Sequence, residues 1–504
     1  MKKDEFDGRL LLVTTLFISI CSIIYELMIS SISTYLNGDS IKQFSITIGL
    51  YMSAMGIGSY LSKFAKKDLF LKFIGVELFT GILGGFSTFL LFMVNIYTNI
   101  YDLIMYLIVL AIGILVGLEI PILTRIIEEN DSNIRVNLAN IFTFDYIGGL
   151  VGSLAFPLFL FPKLGFVTTA FLVGTINICA ALLILFRYHA YIKNSGRVLG
   201  FTGIVFCLLV FFLIMGGKLT ASIEKGLYRD DVIYSEQTLY QKIIMTKHKD
   251  DLRLFLDGNV QFSSKDEYRY HEALVQVPFL YAKNQKRVLI LGGGDGLAAR
   301  EVLKHKEVEE IVLVDIDPGM TGLCSSDPQI TALNENSLSN EKVTVLNEDG
   351  YRFVAENQEP FDIIIVDFPD PNNESLNKLY TNVFYNYVKA NLSPGGVAAV
   401  QSTSPYYASD SFWCIHKTIS TQFEHVLPYH VQVPAFGEWG FNLAFEGEKE
   451  RKPLTVETKF LTEENIESLF VFGKDETAAA EKVGVNEMFR PRLITYYNDD
   501  VENW

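Results

Sequence analysis

Four aspartates give the first hint of chemistry. Asp295, Asp315, Asp349 and Asp367 each follow a short apolar run: "RVLILGGG", "EIVLV", "KVTVLNE" and "FDIIIV". Asp370 stands three residues beyond Asp367, across Pro369. Short apolar runs bounded by turn residues read as buried strands. In an open parallel sheet, ligands bind outside the carboxyl ends of the strands. All of these acids fall at such ends. Each has an ordinary use when taken singly. Asp315 can cap a turn, Asp349-Gly350 can make a turn pair, and Asp367 and Asp370 can be loop acids. Four acids closing four successive strands point instead to one shared site for a cationic ligand.

The glycines sharpen that reading. Gly292-Gly293-Gly294-Asp295-Gly296 lets the backbone turn tightly and approach a ligand. Asp295 offers a carboxylate to an ammonium. Asp315 lies 23 residues past Gly292, where an acid commonly holds ribose hydroxyls. The loop lacks the GxGxxG spacing of pyrophosphate sites. A nucleoside with an amino-bearing tail fits better than a dinucleotide.

These residues need a sheet to hold them. From Arg287 five strands alternate with helices, the helices falling near 296–306, 376–391 and 410–423. Two later strands lie near 425–432 and 440–446. That alternation predicts a doubly wound α/β domain, Rossmann-like, with both faces of its sheet covered. Ahead of it, "LYQKIIMTK" and "LRLFLDGNVQF" predict a small β-hairpin subdomain with a turn at Asp257-Gly258. A helix follows from about Asp266.

The amino-terminal part is a different material. Residues 1–217 hold 14 Lys+Arg and 13 Asp+Glu, whereas 218–504 hold 28 and 45. The whole chain of 504 residues carries −16. An acidic balance argues against nucleic acid as a partner, because phosphate contacts need clustered Lys and Arg. Apolar runs of spanning length recur at 10–35, 43–62, 69–94, 101–123, 138–161, 166–187 and 198–217. They predict a transmembrane bundle of about seven helices. Glu26, Glu77, Glu119 and Asp145 interrupt them, and charge at bilayer depth is costly unless paired, neutralised or facing a cavity. Glu77 sits near a helix start, so pairing or an interfacial place explains it. Glu26 and Asp145 read as deeper and as candidates for a polar site in the bundle. Lys2, Lys3, Arg9, the second loop (Lys63, Lys66, Lys67, Lys72), the fourth (Arg125, Arg135) and the sixth (Arg187, Lys193, Arg197) carry most of the basic charge. The positive-inside rule then places the amino end in the cytoplasm. The five cysteines show no CxxC or metal-ligand spacing, so neither a disulfide scaffold nor a structural zinc site is expected. The expected organisation is a polytopic domain at 1–217, a small β subdomain at 218–265, the α/β domain at 266–450 and an extension at 451–504.

Residues from about 230 to 430 resemble the spermidine/spermine synthases, the polyamine aminopropyltransferases. The matching pieces are "YQ" at 240–241, "LDGNVQFSSKDEYRYHE" at 256–272, "VLILGGGDG" at 288–296, "VDID" at 314–317, "EDG" at 348–350 and "DIIIVDFPDP" at 362–371, with "LY" at 379–380 and "GGVAAVQS" at 395–402. The apolar first half, "GFNLAF" at 440–445 and the "VNEMFRPRLITYY" tail resemble the membrane-bound branch of that family. The resemblance implies a class I methyltransferase-like fold. It implies that Gln241, Gly292, Gly294, Asp295, Asp315 and Asp349 bind decarboxylated S-adenosylmethionine: Asp295 at its propylamine tail, Asp315 at the ribose, Asp349 at the adenine. Gln261, Tyr270, Asp367, Asp370 and Gln401 would line the pocket for an amine acceptor, putrescine by default.

The residue types suit that reaction. A primary amine attacks the carbon beside a sulfonium, and a neutral thioether leaves. The amine is protonated at pH 7, with a pKa near the roughly 10.4 of Lys. A carboxylate within hydrogen-bond reach can take the proton. Asp367 is the candidate base, and Tyr270 helps to position the nitrogen. His271, beside a helix start, reads as structural. No metal or resident cofactor is expected; decarboxylated S-adenosylmethionine is a co-substrate. Other expected partners are the lipid bilayer and a second copy of the chain. Two features depart from the family pattern: Leu297 stands where the glycine loop often ends in Gly, and Phe436 is the nearest aromatic where many soluble members have Tyr. Glu438 and Trp439 are candidates to compensate, Trp439 equally a packing anchor. Two other functions share the scaffold: an S-adenosylmethionine-dependent small-molecule methyltransferase, and a membrane polyamine transporter or sensor whose synthase-like domain only binds. The expected location is the cell membrane, multi-pass. The source of the substrates puts the enzyme domain in the cytoplasm, against the parity of seven crossings.

Overall fold

A computed structural model of the chain describes residues 8–38, 40–130, 134–228 and 230–502; Lys2 and Lys3 lie outside the described residues. The chain divides into two compact units, Met1–Val232 and Ile233–Trp504.

The first unit is helical: α1 (Gly8–Asn37), α2 (Ser40–Leu61), α3 (Leu69–Tyr97), α4 (Tyr101–Asn130), α5 (Ile134–Ala155), α6 (Phe161–Arg187) and α7 (Ser195–Tyr228). Among the described residues, six helical runs are long and apolar enough to cross a membrane, where the sequence shows seven apolar stretches. The difference arises at 138–161 and 166–187, which join into one helical run of 53 residues, Arg135–Arg187. A π-helical turn at Phe156–Leu160 links its two parts. Gly165 then leaves helical geometry at φ 70°, ψ 179°, a conformation that needs the absence of a Cβ.

The run turns back on itself there. α5 runs alongside α1: the Ser19 hydroxyl donates to the Asp145 carbonyl at 2.6 Å, and a Cβ on Gly152 would strike Ile23. α6 runs against α1: Cys21 meets the Val173 carbonyl, while Tyr35 meets the Phe166 ring. Small residues let the helices close up, as membrane helices require. A Cβ on Gly58 would overlap the Ile114 carbonyl, and one on Gly117 the Met55 carbonyl, across α2 and α4. Gly174 and Gly81 do the same for α6 and α3.

Burial divides the acids of the bundle, and Glu77 is paired, accepting from Asn177 at 2.9 Å. Glu77 and Glu119 are buried, whereas Glu26 and Asp145 are partly exposed. The reason is facing rather than depth along the sequence: α3 and α4 turn their glutamates toward neighbouring helices.

The second unit begins with an antiparallel sheet of β1 (Asp231–Gln237), β2 (Lys242–His248), β3 (Asp251–Leu256) and β4 (Asn259–Ser263), in that spatial order. Then come α8 (Glu267–Tyr281), β5 (Arg287–Gly292), α9 (Leu297–Leu303), β6 (Glu310–Val314), α10 (Pro318–Ser326), α11 (Pro328–Leu333), β7 (Val343–Leu346), α12 (Gly350–Glu356), β8 (Phe361–Asp367), α13 (Glu374–Asn377), α14 (Asn382–Ala390), β9 (Leu392–Gln401), α15 (Ser409–Ile419), β10 (His425–Val433), β11 (Gly437–Phe445) and α16 (Leu493–Glu502). The large sheet has the order β10-β11-β9-β8-β5-β6-β7. β5 to β9 are parallel, and β10 and β11 are antiparallel additions at one edge. β5 and β8 are buried along nearly their whole length, as strands covered on both faces must be. Strand order reverses between β5 and β8, the place where sheets of this kind bind ligands, in the crevice outside the carboxyl ends of the strands.

Candidate active site

The site begins with one register. Gly292, the last residue of β5, pairs with Asp367, the last of β8. A side chain at Gly292 would run into the Asp367 backbone carbonyl, and Gly292 has φ +84°. Gly293 follows at φ +64°. The chain thus turns away over the neighbouring strand end without closing the crevice.

Asp367 is partly exposed and otherwise enclosed by protein. Its Oδ1 accepts a hydrogen bond from the Tyr270 hydroxyl of α8 at 2.5 Å. Burial, the Asp295 charge and an opposing pull from His271 bring its pKa up to about 6. Burial and the Asp367 carboxylate keep the Tyr270 phenol protonated, so it stays a donor. Tyr270 packs edge-on against Phe436 and Trp439 and against Phe441, at centroid distances of 6.1, 6.5 and 5.2 Å. These rings wall one side of the crevice.

Asp370 is the second acid of this wall. It accepts from Tyr497 of α16 at 3.0 Å and from the Gln401 amide at 3.5 Å. Burial raises its pKa to about 6. Gln401 closes β9 and is fully engaged: its amide donates to the Phe368 carbonyl at 2.5 Å and to Tyr380 at 2.9 Å. Its carbonyl accepts from Trp439 at 3.2 Å and from the Thr403 N–H at 3.0 Å. Trp439 therefore orients Gln401 as well as packing. Glu438 turns elsewhere, onto His430.

The other acids follow β5, β6 and β7. Asp295 accepts from the Leu297 N–H at the start of α9, at 2.8 Å. Burial raises its pKa against the field of His271. Asp315 accepts from the Gly294 N–H at 3.1 Å and the Asp317 N–H at 2.9 Å. A Cβ on Gly294 would collide with that carboxylate, which is why Gly is needed there. Burial again pushes the Asp315 carboxyl up, to about 6. Gln241 does not touch these groups directly; its amide donates to Asp317 at 2.9 Å. Asp349 caps α12 through the Tyr351 N–H at 2.9 Å and pairs with Lys378 at 2.6 Å. Burial works against its charge, but those bonds hold its pKa below the ordinary value. Gln261 stands apart, on β4, with its amide on the Asn259 carbonyl at 3.4 Å.

Beneath the crevice lies a buried charge network that the sequence did not suggest. His271 sits against Glu267 at 2.9 Å. Arg300 grips both Glu267 oxygens, at 2.8 and 2.9 Å. Burial opposes charge on all three. The hydrogen bonds prevail, holding Glu267 down at about 2 and His271 up at about 9. A cationic His271 below Asp295 and Asp367 favours their ionised forms. His271 is thus structural, as expected, and electrostatic as well. Tyr497 was missed too. Its signal was an aromatic pair in the "LITYY" tail, which no local rule separates from packing.

A family model described as spermine/spermidine synthase domain matches residues 267–456. The chain is 42% identical over 494 residues to the polyamine aminopropyltransferase of Leptospira interrogans, covering 97% of this chain and 98% of that one. It is 40% identical over 497 residues to the polyamine aminopropyltransferase of Oceanobacillus iheyensis, covering 97% and 96%. The chain belongs to the spermine/spermidine synthase family. A crystal structure of spermidine synthase from Thermotoga maritima is 28% identical with a TM-score of 0.46, covering 50% of this chain and 87% of that one. Within the spermine/spermidine synthase family, the likeness to the curated relatives runs the full length of the chain, membrane-type helices included. The domain model stops at 456, so Tyr497 reaches the crevice from outside it.

The shifted carboxyl of Asp367 makes a kinetic prediction. A base must be unprotonated, and the folded protein holds Asp367 half-ionised near pH 6. We expect kcat/KM to fall about tenfold per unit below pH 6. Tyr270→Phe removes the hydrogen bond that lowers this pKa, so it moves the acid limb to higher pH. A pH–rate profile of the two proteins checks both.

Proposed function

We propose that the crevice transfers the aminopropyl group of decarboxylated S-adenosylmethionine to putrescine, giving spermidine and methylthioadenosine. The observation that carries this reading is the gathering of four desolvated acids at neighbouring strand ends: Asp367 and Asp370 beside Tyr270 and Gln401, with Asp295 and Asp315 at the glycine loop. Burying four carboxyl groups around one crevice is unfavourable unless cations enter it. The nucleoside and the amine both bring cations.

In this reading Asp315 holds the ribose and Asp295 the propylamine ammonium. Gly292 and Gly294 let the nucleoside lie against backbone. Asp349 reaches the adenine amino group with the capacity its Lys378 pair leaves. Gln241 contributes through Asp317, the neighbour it hydrogen-bonds. Asp370 attracts one ammonium of the acceptor, and Gln401, fixed by Tyr380 and Trp439, holds Asp370 in place. Gln261, which stands apart on β4, joins the acceptor pocket only if it turns toward the bound amine. Asp367 takes a proton from the other acceptor nitrogen. The freed lone pair attacks the methylene carbon beside the sulfonium, the C–S bond breaks, and its electron pair returns to sulfur as a neutral thioether. The proton ends on Asp367. Orientation of nitrogen, carbon and sulfur in line supplies much of the acceleration. The chemistry asks for no metal.

The long apolar helices support a reading in which this chemistry takes place at a membrane. We read the reversal at Gly165 as separating two crossings, which makes seven in the bilayer. Gly8 and Tyr228, at the outer ends of α1 and α7, then lie on opposite faces. The Lys and Arg loops favour a cytoplasmic amino end, and the cytosolic source of the substrates favours a cytoplasmic catalytic unit. With seven crossings only one can hold, and we place the catalytic unit in the cytoplasm.

Three measurements test these points. Full-length protein in detergent should release methylthioadenosine from decarboxylated S-adenosylmethionine and putrescine. Asp367→Asn should lose at least about a hundredfold in kcat while still binding the nucleoside; normal turnover would overturn the assignment of the base. Turnover supported by intact S-adenosylmethionine would favour a methyltransferase. Tyr497→Phe should raise KM for putrescine severalfold with kcat nearly unchanged, because it loses one hydrogen bond to Asp370. Reporter fusions at the two termini should report opposite faces, with the carboxyl-terminal one cytoplasmic.

A further inference from the structure

The bundle contains its own group of buried acids. Glu77 of α3 is 0% exposed and Glu119 of α4 is 6% exposed. The two lie within electrostatic range of each other. Glu77 Oε2 accepts from the Asn177 amide of α6 at 2.9 Å. The other Glu77 oxygen, Glu119 Oε1 and the Asn177 side-chain carbonyl are all buried without a hydrogen-bond partner. Tyr25 of α1 is fully buried, and its hydroxyl is also unpartnered. It lies within electrostatic range of both glutamates, its ring against Gly84 of α3.

These groups share a depth. Glu77, Glu119 and Asn177 stand eight, eleven and ten residues from helix ends on one side of the bundle, about 12–17 Å along the axis. Helices of 27 to 30 residues are about 41–45 Å long and overhang a hydrocarbon core of about 30 Å at both ends, so these groups lie inside the core. No Lys, Arg or His occurs among the described buried residues of this unit. Arg125, the closest basic residue in sequence to Glu119, donates to the Ser62 and Ala65 carbonyls. Carboxylates at this depth need a cation or must stay protonated. What stands unfilled is three carbonyl-type acceptors and a phenol. A primary ammonium offers three donors and no acceptor, and its charge also suits the face of an aromatic ring.

We propose that Glu77, Glu119, Asn177 and Tyr25 form an intramembrane binding site for a primary alkylammonium cation. The site stands independently of the reading of the catalytic crevice, although a polyamine would serve both. Four helices contribute one group each, so occupancy ties α1, α3, α4 and α6 together. Neutral Glu77 and Glu119 without a cation are the alternative, and they bind no amine.

The test is equilibrium dialysis of labelled putrescine against the full-length protein in lipid nanodiscs. Wild type should bind two per chain. Asp370→Asn should leave one, and adding Glu77→Gln with Glu119→Gln should weaken that one by about tenfold or more. Asn177→Leu keeps both acids and should weaken the same site, which covers the case in which the double variant does not fold. A wild type with one site, abolished by the glutamate changes and not by Asp370→Asn, would support this proposal and overturn the acceptor role of Asp370. One site lost in Asp370→Asn, or a second site indifferent to Glu77, Glu119 and Asn177, would overturn it. Glu77-dependent binding of sodium with no binding of putrescine would overturn the ammonium assignment.

Discussion

The catalytic unit depends on how two parallel strands end. β5 and β8 stop in register, Gly292 beside Asp367, and backbone meets backbone so closely that no side chain fits at Gly292. Strand order reverses at this pair. The connections leave to opposite sides, and the crevice between them stays open. Asp367 gains a fixed position from its strand, and Tyr270 gains a partner. The acids that follow β6 and β7 fall at the same edge of the sheet because their strands continue it in parallel.

A second constraint is desolvation. Asp295, Asp315, Asp367 and Asp370 all have carboxyl groups pushed upward by burial. Such an arrangement is unfavourable in the empty protein. It is tolerable because donors surround each group: Leu297 N–H, Gly294 N–H, Tyr270 and Tyr497. The network of His271, Glu267 and Arg300 beneath adds a positive field. A site poised in this way favours cationic ligands over neutral ones before any shape is considered. Asp349 differs, because Lys378 already neutralises it.

Much of the catalytic unit was readable from local pattern. Apolar runs of four to seven residues mark β5 to β8, and the acids that follow them land at strand ends because a strand must end where its apolar run ends. Gly292 and Gly294 were readable as turn and close-approach residues, and each turns out to abut a carbonyl or carboxylate. The bundle was less readable. Hydropathy marks spans but not their junctions; the Gly/Pro interruption of 138–161 singled that run out, but not the π turn at Phe156–Leu160 that joins α5 to α6. Burial was not readable for Glu26 and Glu77, because hydropathy does not say which side of a helix faces a neighbour.

By itself the sequence determined the division into an apolar and an acidic part, the alternation of strands and helices, and the acids at the strand ends. These are local properties, set by residue type and by periods of two or 3.6. The tertiary structure alone decided which distant residues meet. Tyr497 reaches Asp370 across 127 positions, Arg300 reaches Glu267 across 33, and Asn177 reaches Glu77 across 100. Such pairs follow from how whole elements pack, and packing is a property of all the side chains together.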